Sequence, residues 1–318
     1  MTARSSLLLI VPANNNKHIT MWTEPLAEMA PDLIVKVHGQ DDYDPASIDY
    51  ALTFRPPPGL LATFPNLRVV FSLGAGVEAF LADPAYPRNV PLTRFVDHTL
   101  SRDMTHYSVL HVLMHYRRQR HFDRLQREHK WRQNYMTGAP EDVRIGILGL
   151  GEIGTMIAER LRDLDFTLAG WSRTKKDVRS VESFAGADQL EPFLARSEIV
   201  ICVLPLTPDT RHILNAKTFA TLPKDAYVIN IARGGHINEA DLIAALDSGH
   251  LSGAALDVFE TEPLPENSPI WDHPKIAVTP HIAAISDPRA MARVAVDGIA
   301  DYESGRPLQN VVDFKRGY

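Results

Sequence analysis

A chain of 318 residues is longer than one ordinary core fills and favours two packed domains. Its 45% hydrophobic and 23% charged content is that of a globular protein and sets aside a disordered or fibrous chain. A net charge of −6 excludes a global pull toward nucleic acid or anionic membrane, so an anionic ligand must be held by local positive groups.

The first apolar run, Leu7–Val11, meets Asn14-Asn15-Asn16 almost at once. It falls short of the roughly seven residues of a secretory core and reads as a buried first strand. No run approaches the ~20 residues of a membrane span, so no membrane partner and a cytoplasmic location are expected. Further strands are predicted at Ile34–Val37, Tyr50–Phe54 and Leu67–Leu73, with stiff loops at Pro56-Pro57-Pro58-Gly59 and Pro84 to Pro91. Residues 101–130 predict one long helix, with Val109, Leu110, Val112, Leu113 and Tyr116 as its apolar stripe. His111 and His115 on it are i,i+4 neighbours, but no acid or thiol completes a metal site, and no metal is expected.

From Val143 the alternation is regular. Strands are predicted at Arg144–Leu148, Thr167–Trp171, Ile199–Leu204, Tyr227–Ile231, Ala254–Val258 and Ile276–Thr279, with helices such as Thr155–Leu164 and Glu239–Leu246 between them. Repeated β-α-β units imply a parallel sheet with right-handed crossovers. The first hundred residues read as a smaller version of the same architecture, so the fold class is α/β with two doubly wound domains. Cys202, the one cysteine, lies in an apolar run and reads as core.

The segment Gly149-Leu150-Gly151-Glu152-Ile153-Gly154 follows a predicted strand and opens a helix. In that context Gly149 permits the tight turn, Gly151 lets a pyrophosphate approach, and Gly154 lets helix and strand pack closely. The helix N-terminus adds free N–H groups and partial positive charge. The next strand ends in Ser172-Arg173-Thr174-Lys175-Lys176, with no carboxylate before Asp177. An acid there would select NAD by its ribose hydroxyls. Arg173 can instead pair with a 2′-phosphate, Ser172 and Thr174 offer hydroxyls, and Lys175 adds charge, which predicts NADPH. Lys176 reads as a surface lysine.

In open α/β sheets ligands bind beyond the carboxyl ends of the strands. Arg233, Glu262 and His281 each fall shortly beyond such an end. Singly they have ordinary explanations. Together, downstream of a dinucleotide loop, they make a reduction site.

These motifs, with Gly74-Ala75-Gly76-Val77, Leu204-Pro205-Leu206-Thr207, Leu256-Asp257-Val258-Phe259 and Pro280-His281-Ile282-Ala283-Ala284, resemble the D-isomer-specific 2-hydroxyacid dehydrogenases over nearly the whole chain. Trp171-Ser172-Arg173-Thr174, Pro263-Leu264-Pro265, Pro269-Ile270-Trp271 and Arg316-Gly317-Tyr318 bring the likeness nearest to the branch of the glyoxylate/hydroxypyruvate reductase A type. Ala283 departs from the His-x-Gly form of many members and reads as a character of that branch.

The resemblance implies a Rossmann NADP-binding domain over 101–284 and a flavodoxin-like substrate domain over 1–100 and 285–318, with cofactor and substrate in the cleft between them. It implies further dinucleotide contacts at Glu152, Ile153, Leu204, Pro205, Thr210, Ile231, Ala232, Asp257 and Ala283. A small 2-keto acid would meet Leu73, Gly74, Ala75 and Gly76, its carboxylate on the N–H groups of Ala75 and Gly76. Arg233 would hold carboxylate and keto oxygen, His281 would protonate that oxygen, and Glu262 would orient the imidazole and balance its charge. Arg55 is either a second carboxylate contact or the cap of a turn. A homodimer is implied, with Trp131, Tyr135 and Met136 as anchors. The expected activity is NADPH-dependent reduction of glyoxylate and hydroxypyruvate. The alternatives are a reductase of a bulkier 2-keto acid, or a dinucleotide-sensing regulator with little turnover.

Overall fold

The computed structural model describes residues 4–11, 19–133, 138–285 and 287–316. The chain divides into two compact units, Met1–Leu100 with Ser286–Tyr318, and Ser101–Ile285. Tyr135, Met136, Gly317 and Tyr318, named above, lie outside the described residues.

The first unit carries β1 (Ser6–Ile10), α1 (Thr20–Met29), β2 (Ile34–Val37), β3 (Tyr50–Thr53), β4 (Val69–Ser72), α2 (Glu78–Ala82) and β5 (Leu92–Thr93). All its strands are parallel, in the order β2-β1-β3-β4-β5, which is the flavodoxin-like order. Residues in β1, β3 and β4 are buried along their whole lengths, which is why they read as unbroken apolar runs. A last helix, Pro288–Glu303, begins with Asp287 accepting the Arg289 N–H at 2.9 Å and Pro288 preset for the first turn. It packs on α1, and its Gly298 leaves room for Phe71, since a Cβ there would sit 2.4 Å from the ring. The tail then returns to β5, where the Val312 N–H donates to the Leu92 carbonyl at 2.8 Å.

The second unit carries α3 (His98–Tyr116) from Ser101 onward, then α4 (Gln119–Arg127), β6 (Arg144–Leu148), α5 (Glu152–Arg162), β7 (Thr167–Ser172) and β8 (Val181–Ala185). There follow α6 (Leu190–Arg196), β9 (Ile199–Cys202), α7 (Ala216–Thr221), β10 (Ala226–Asn230), α8 (Glu239–Asp247), β11 (Leu251–Leu256) and β12 (Ile276–Val278). The order β12-β11-β10-β9-β6-β7-β8, all parallel, is that of a doubly wound dinucleotide-binding sheet with one strand added. Along β9, Ile199 and Ile201 join one apolar cluster while Val200 and Cys202 join another, as the two-residue period of a strand covered on both faces requires. Cys202 is fully buried, which pushes its thiol up to about 12.

Two expectations about elements need correction. The single helix predicted over 101–130 is two helices, broken at Arg118, whose φ is +52°. No apolar residue lies between Tyr116 and Phe122, and the break resets the helical face so that Leu125 is buried. Strands β5 and β8 were not expected. The first has two residues, and the second is a partly exposed edge strand containing Glu182 and Ser183. Among the described residues, no helix is long and apolar enough to cross a membrane.

Candidate active site

The turn from β6 to α5 lies where the strand order reverses, with β9 on one side of β6 and β7 on the other. Gly149 has φ +108°, and a Cβ there would come within 3.1 Å of the Val203 carbonyl oxygen. At Gly154 a Cβ would lie 1.8 Å from the Gly149 oxygen, so helix and turn meet backbone to backbone. Gly151 is different. Its φ of −83° suits any residue, and a Cβ there would meet nothing within 4 Å. The fold does not need glycine at this position, but a phosphate approaching the first turn of α5 does. No side chain caps that turn, so its N–H groups fit a dinucleotide pyrophosphate. Glu152 accepts the Ser101 hydroxyl at 3.1 Å, and Ile153 is half-buried beside it.

At the end of β7, Ser172 is buried and donates its hydroxyl to the Thr174 carbonyl at 2.7 Å, shaping the turn that exposes Arg173, Thr174 and Lys175. Beyond β9, Leu204 is buried and Pro205 half-buried. The Thr210 hydroxyl donates to the Pro205 carbonyl at 2.7 Å and accepts the Thr207 N–H at 2.8 Å. Thr210 thus closes its own loop. Ile231, Ala232 and Ala283 are buried, so they offer backbone and small apolar surface.

Arg233, Glu262 and His281 follow β10, β11 and β12, three successive neighbours in the sheet. Gly234 lets the first two loops touch, since a Cβ there would lie 1.8 Å from the Phe259 carbonyl carbon. The Phe259 N–H in turn donates to Glu262 Oε1 at 3.1 Å, and Glu262 Oε2 lies 2.8 Å from His281 Nδ1. That contact leaves Nε2 as the ring nitrogen for other work. The guanidinium of Arg233 donates to its neighbour's carbonyl, at Ala232, at 2.6 Å.

In the first unit, the Ser72 hydroxyl donates to the Gly74 carbonyl at 2.9 Å and that carbonyl also accepts the Phe95 N–H at 3.0 Å. A Cβ on Gly74 would come 2.8 Å from the Phe54 ring, so glycine keeps this loop tight. Leu73 is buried, while Ala75 and Gly76 are half-buried. Arg55, with φ +54°, lays its guanidinium over the Phe54 ring at 5.2 Å.

One residue of the site, His236, has no signature in the sequence, and Asp257, expected as a dinucleotide contact, has a further role. His236, fully buried, places Nε2 3.2 Å from the Pro205 carbonyl and accepts the Arg233 N–H on Nδ1 at 3.3 Å, tying the loops after β9 and β10. Asp257, 1% exposed, turns both carboxylate oxygens onto the chain around His281. His115 stacks on an aromatic ring and His111 lies tilted against another. His111 lies 4.3 Å from the Tyr107 ring and His115 lies 4.2 Å from Tyr227. Burial lowers both pKa values, His115 to about 4. Among the described residues, no three His, Cys, Asp or Glu side chains are grouped to hold a metal ion.

Comparison with known proteins places this arrangement. The profile described as "D-isomer specific 2-hydroxyacid dehydrogenase, NAD binding domain" matches residues 109–283. A glyoxylate/hydroxypyruvate reductase A of Serratia proteamaculans is 41% identical over 302 residues, 93% of this chain and 96% of the relative. A D-isomer specific 2-hydroxyacid dehydrogenase of Xanthobacter autotrophicus Py2, solved with NADPH and MES, is 43% identical with a TM-score of 0.93, over 99% of this chain and 100% of that one. An NADPH-dependent glyoxylate/hydroxypyruvate reductase of Sinorhizobium meliloti, solved with NADP and sulfate, is 40% identical with a TM-score of 0.91, over the same shares. The chain belongs to the D-isomer specific 2-hydroxyacid dehydrogenase family.

Proposed function

We propose that this protein reduces small 2-keto acids, glyoxylate and hydroxypyruvate, to their 2-hydroxy acids with NADPH. The observation that carries the reading is the 2.8 Å contact of His281 Nδ1 with Glu262, at strand ends beside the one that carries Arg233. NADPH, when bound, supplies the hydride. Gly149, Gly151 and Gly154, with Glu152 and Ile153, would hold its pyrophosphate, and Ser172, Arg173, Thr174 and Lys175 its 2′-phosphate. Leu204, Pro205, Thr210, Ile231, Ala232, Asp257 and Ala283 would border the rest.

The remaining work falls to the chain's own side chains. Arg233 binds carboxylate and keto oxygen together, fixing the carbonyl and drawing charge toward oxygen. His281 gives its Nε2 proton to that oxygen as the carbonyl carbon is reduced, leaving a neutral ring and a hydroxyl. Glu262 holds Nδ1–H and offsets the charge of the imidazolium. Arg55 and the loop Leu73, Gly74, Ala75 and Gly76 are proposed as substrate contacts.

A cytoplasmic location and a homodimer complete the reading. The second unit has a groove of about 1150 Å³ lined by residues of α3, α4, the starts of the strands and the loops before them, including His115, Arg124, Tyr227 and Lys275. Trp131, just beyond α4, is 87% exposed, which supports pairing through this face. The test is NADPH consumption across glyoxylate, hydroxypyruvate, pyruvate and phenylglyoxylate, repeated with NADH. Highest efficiency on the first two with NADPH is expected. Preference for phenylglyoxylate would assign a bulkier substrate, and NADPH binding without turnover would assign a sensor.

A further inference from the structure

The backbone at His281 is unusual. Its φ is +58°, a left-handed conformation that histidine adopts only where its surroundings hold it. Nearly everything that holds it comes from one residue. The His281 N–H donates to the Asp257 carbonyl at 2.8 Å and also lies 3.1 Å from the Thr279 carbonyl. The next two N–H groups, of Ile282 and Ala283, donate to Asp257 Oδ1 and Oδ2, each at 2.8 Å. Aspartate therefore fixes three successive peptide groups from a buried position.

Its own position has to be fixed in turn, and a second layer does this. The Thr279 hydroxyl donates to Asp257 Oδ1 at 2.6 Å, and the Tyr107 oxygen lies 2.7 Å from that hydroxyl. Thr279 has one hydroxyl proton and spends it on the carboxylate, so Tyr107 must be the donor in the outer bond. The direction runs Tyr107 to Thr279 to Asp257, and a bond into a carboxylate is the stronger kind. Burial pushes the Tyr107 hydroxyl up to about 12, so the proton it donates stays on it through the neutral range. Tyr107 stands on α3, far along the chain from the strands that it steadies.

We infer that Tyr107 and Thr279 are positioning residues for reduction: through Asp257 they hold the His281 loop in its left-handed turn and so aim the imidazole. Neither would touch substrate. The inference rests on His281 being the proton donor. Because the aim of one side chain is at stake, the effect belongs on turnover more than on cofactor binding.

The test compares Thr279→Val, Thr279→Ser and Tyr107→Phe in the full chain, using glyoxylate and NADPH. Thr279→Val keeps the shape and removes the hydroxyl, and kcat should fall about 10- to 100-fold while KM for NADPH moves less than about threefold. Thr279→Ser, which restores the donor, should return kcat to within about threefold of the parent. Tyr107→Phe, one bond further out, should lower kcat by a smaller factor, about three- to tenfold. Parental kcat in Thr279→Val, or equal loss in the valine and serine variants, overturns the inference. Should Thr279→Val fail to fold, Tyr107→Phe decides by the same kcat reading. His281→Asn is run alongside. An active His281→Asn enzyme would remove the proton donor and this inference with it, whereas an inactive one beside a normal Thr279→Val removes the inference alone.

Discussion

Single atoms decide most of the proposed chemistry. Arg233 offers a planar fork that lysine cannot copy, so Arg233→Lys should keep charge but lose two-point holding. We expect KM for glyoxylate to rise and kcat to fall, for a loss in kcat/KM of about 100-fold or more, measured by steady-state kinetics. A loss under threefold would take the guanidinium out of this role. Arg173→Ala should raise KM for NADPH by about 10- to 100-fold and leave NADH kinetics within about threefold, because the lost partner is the 2′-phosphate. Equal effects on both cofactors would show that Arg173 reads something other than that phosphate. Cys202, with its thiol pushed up to about 12 by complete burial, should resist thiol reagents until the chain unfolds. Rapid labelling of native protein would contradict that placement.

Elements bring these atoms together, and glycine contacts show how tightly. Gly234 has no room for a Cβ against the backbone at Phe259, so Gly234→Ala must push apart the loops carrying Arg233 and Glu262. A drop in kcat/KM of about tenfold or more is expected, together with a lower melting temperature. Normal kinetics in that variant would mean that the loops need not touch. Much at this scale was legible from sequence. Strands β6, β9 and β10 are buried on both faces, and such strands leave unbroken apolar runs. The edge strand β8 left none because one side of it faces solvent. The break at Arg118 was hidden too, since neither glycine nor proline marks it. Arg233, Glu262 and His281 stood out because their residue types sit just past strand ends. Tyr107, Thr279 and His236 did not, since their roles arise from contacts across the fold. Tyr107 and Thr279 are 172 positions apart in sequence, and no local pattern spans that distance.

Across the whole molecule, two parallel sheets of different strand order each supply residues of the family's motifs, and burial of titratable groups ties stability to pH. His115 stacks on Tyr227, and burial lowers its pKa from 6.5 to about 4. The unfolded chain therefore takes up a proton first as pH falls. Stability from this group is fully present above pH 6.5 and is lost as pH drops toward 4. The difference is on the order of 3 kcal/mol. His115→Phe should keep the stacked ring and flatten the dependence of melting temperature on pH across that window. An unchanged slope would mean that other groups set it. The account as a whole turns on His281 as proton donor, with Glu262 behind it. The most direct measurement is the single-turnover rate of glyoxylate reduction in His281→Asn, with NADPH affinity determined on the same sample. The account predicts a fall of about 10²- to 10⁴-fold in rate, with affinity within about threefold of the parent. A variant that reduces glyoxylate at the parental rate would contradict it.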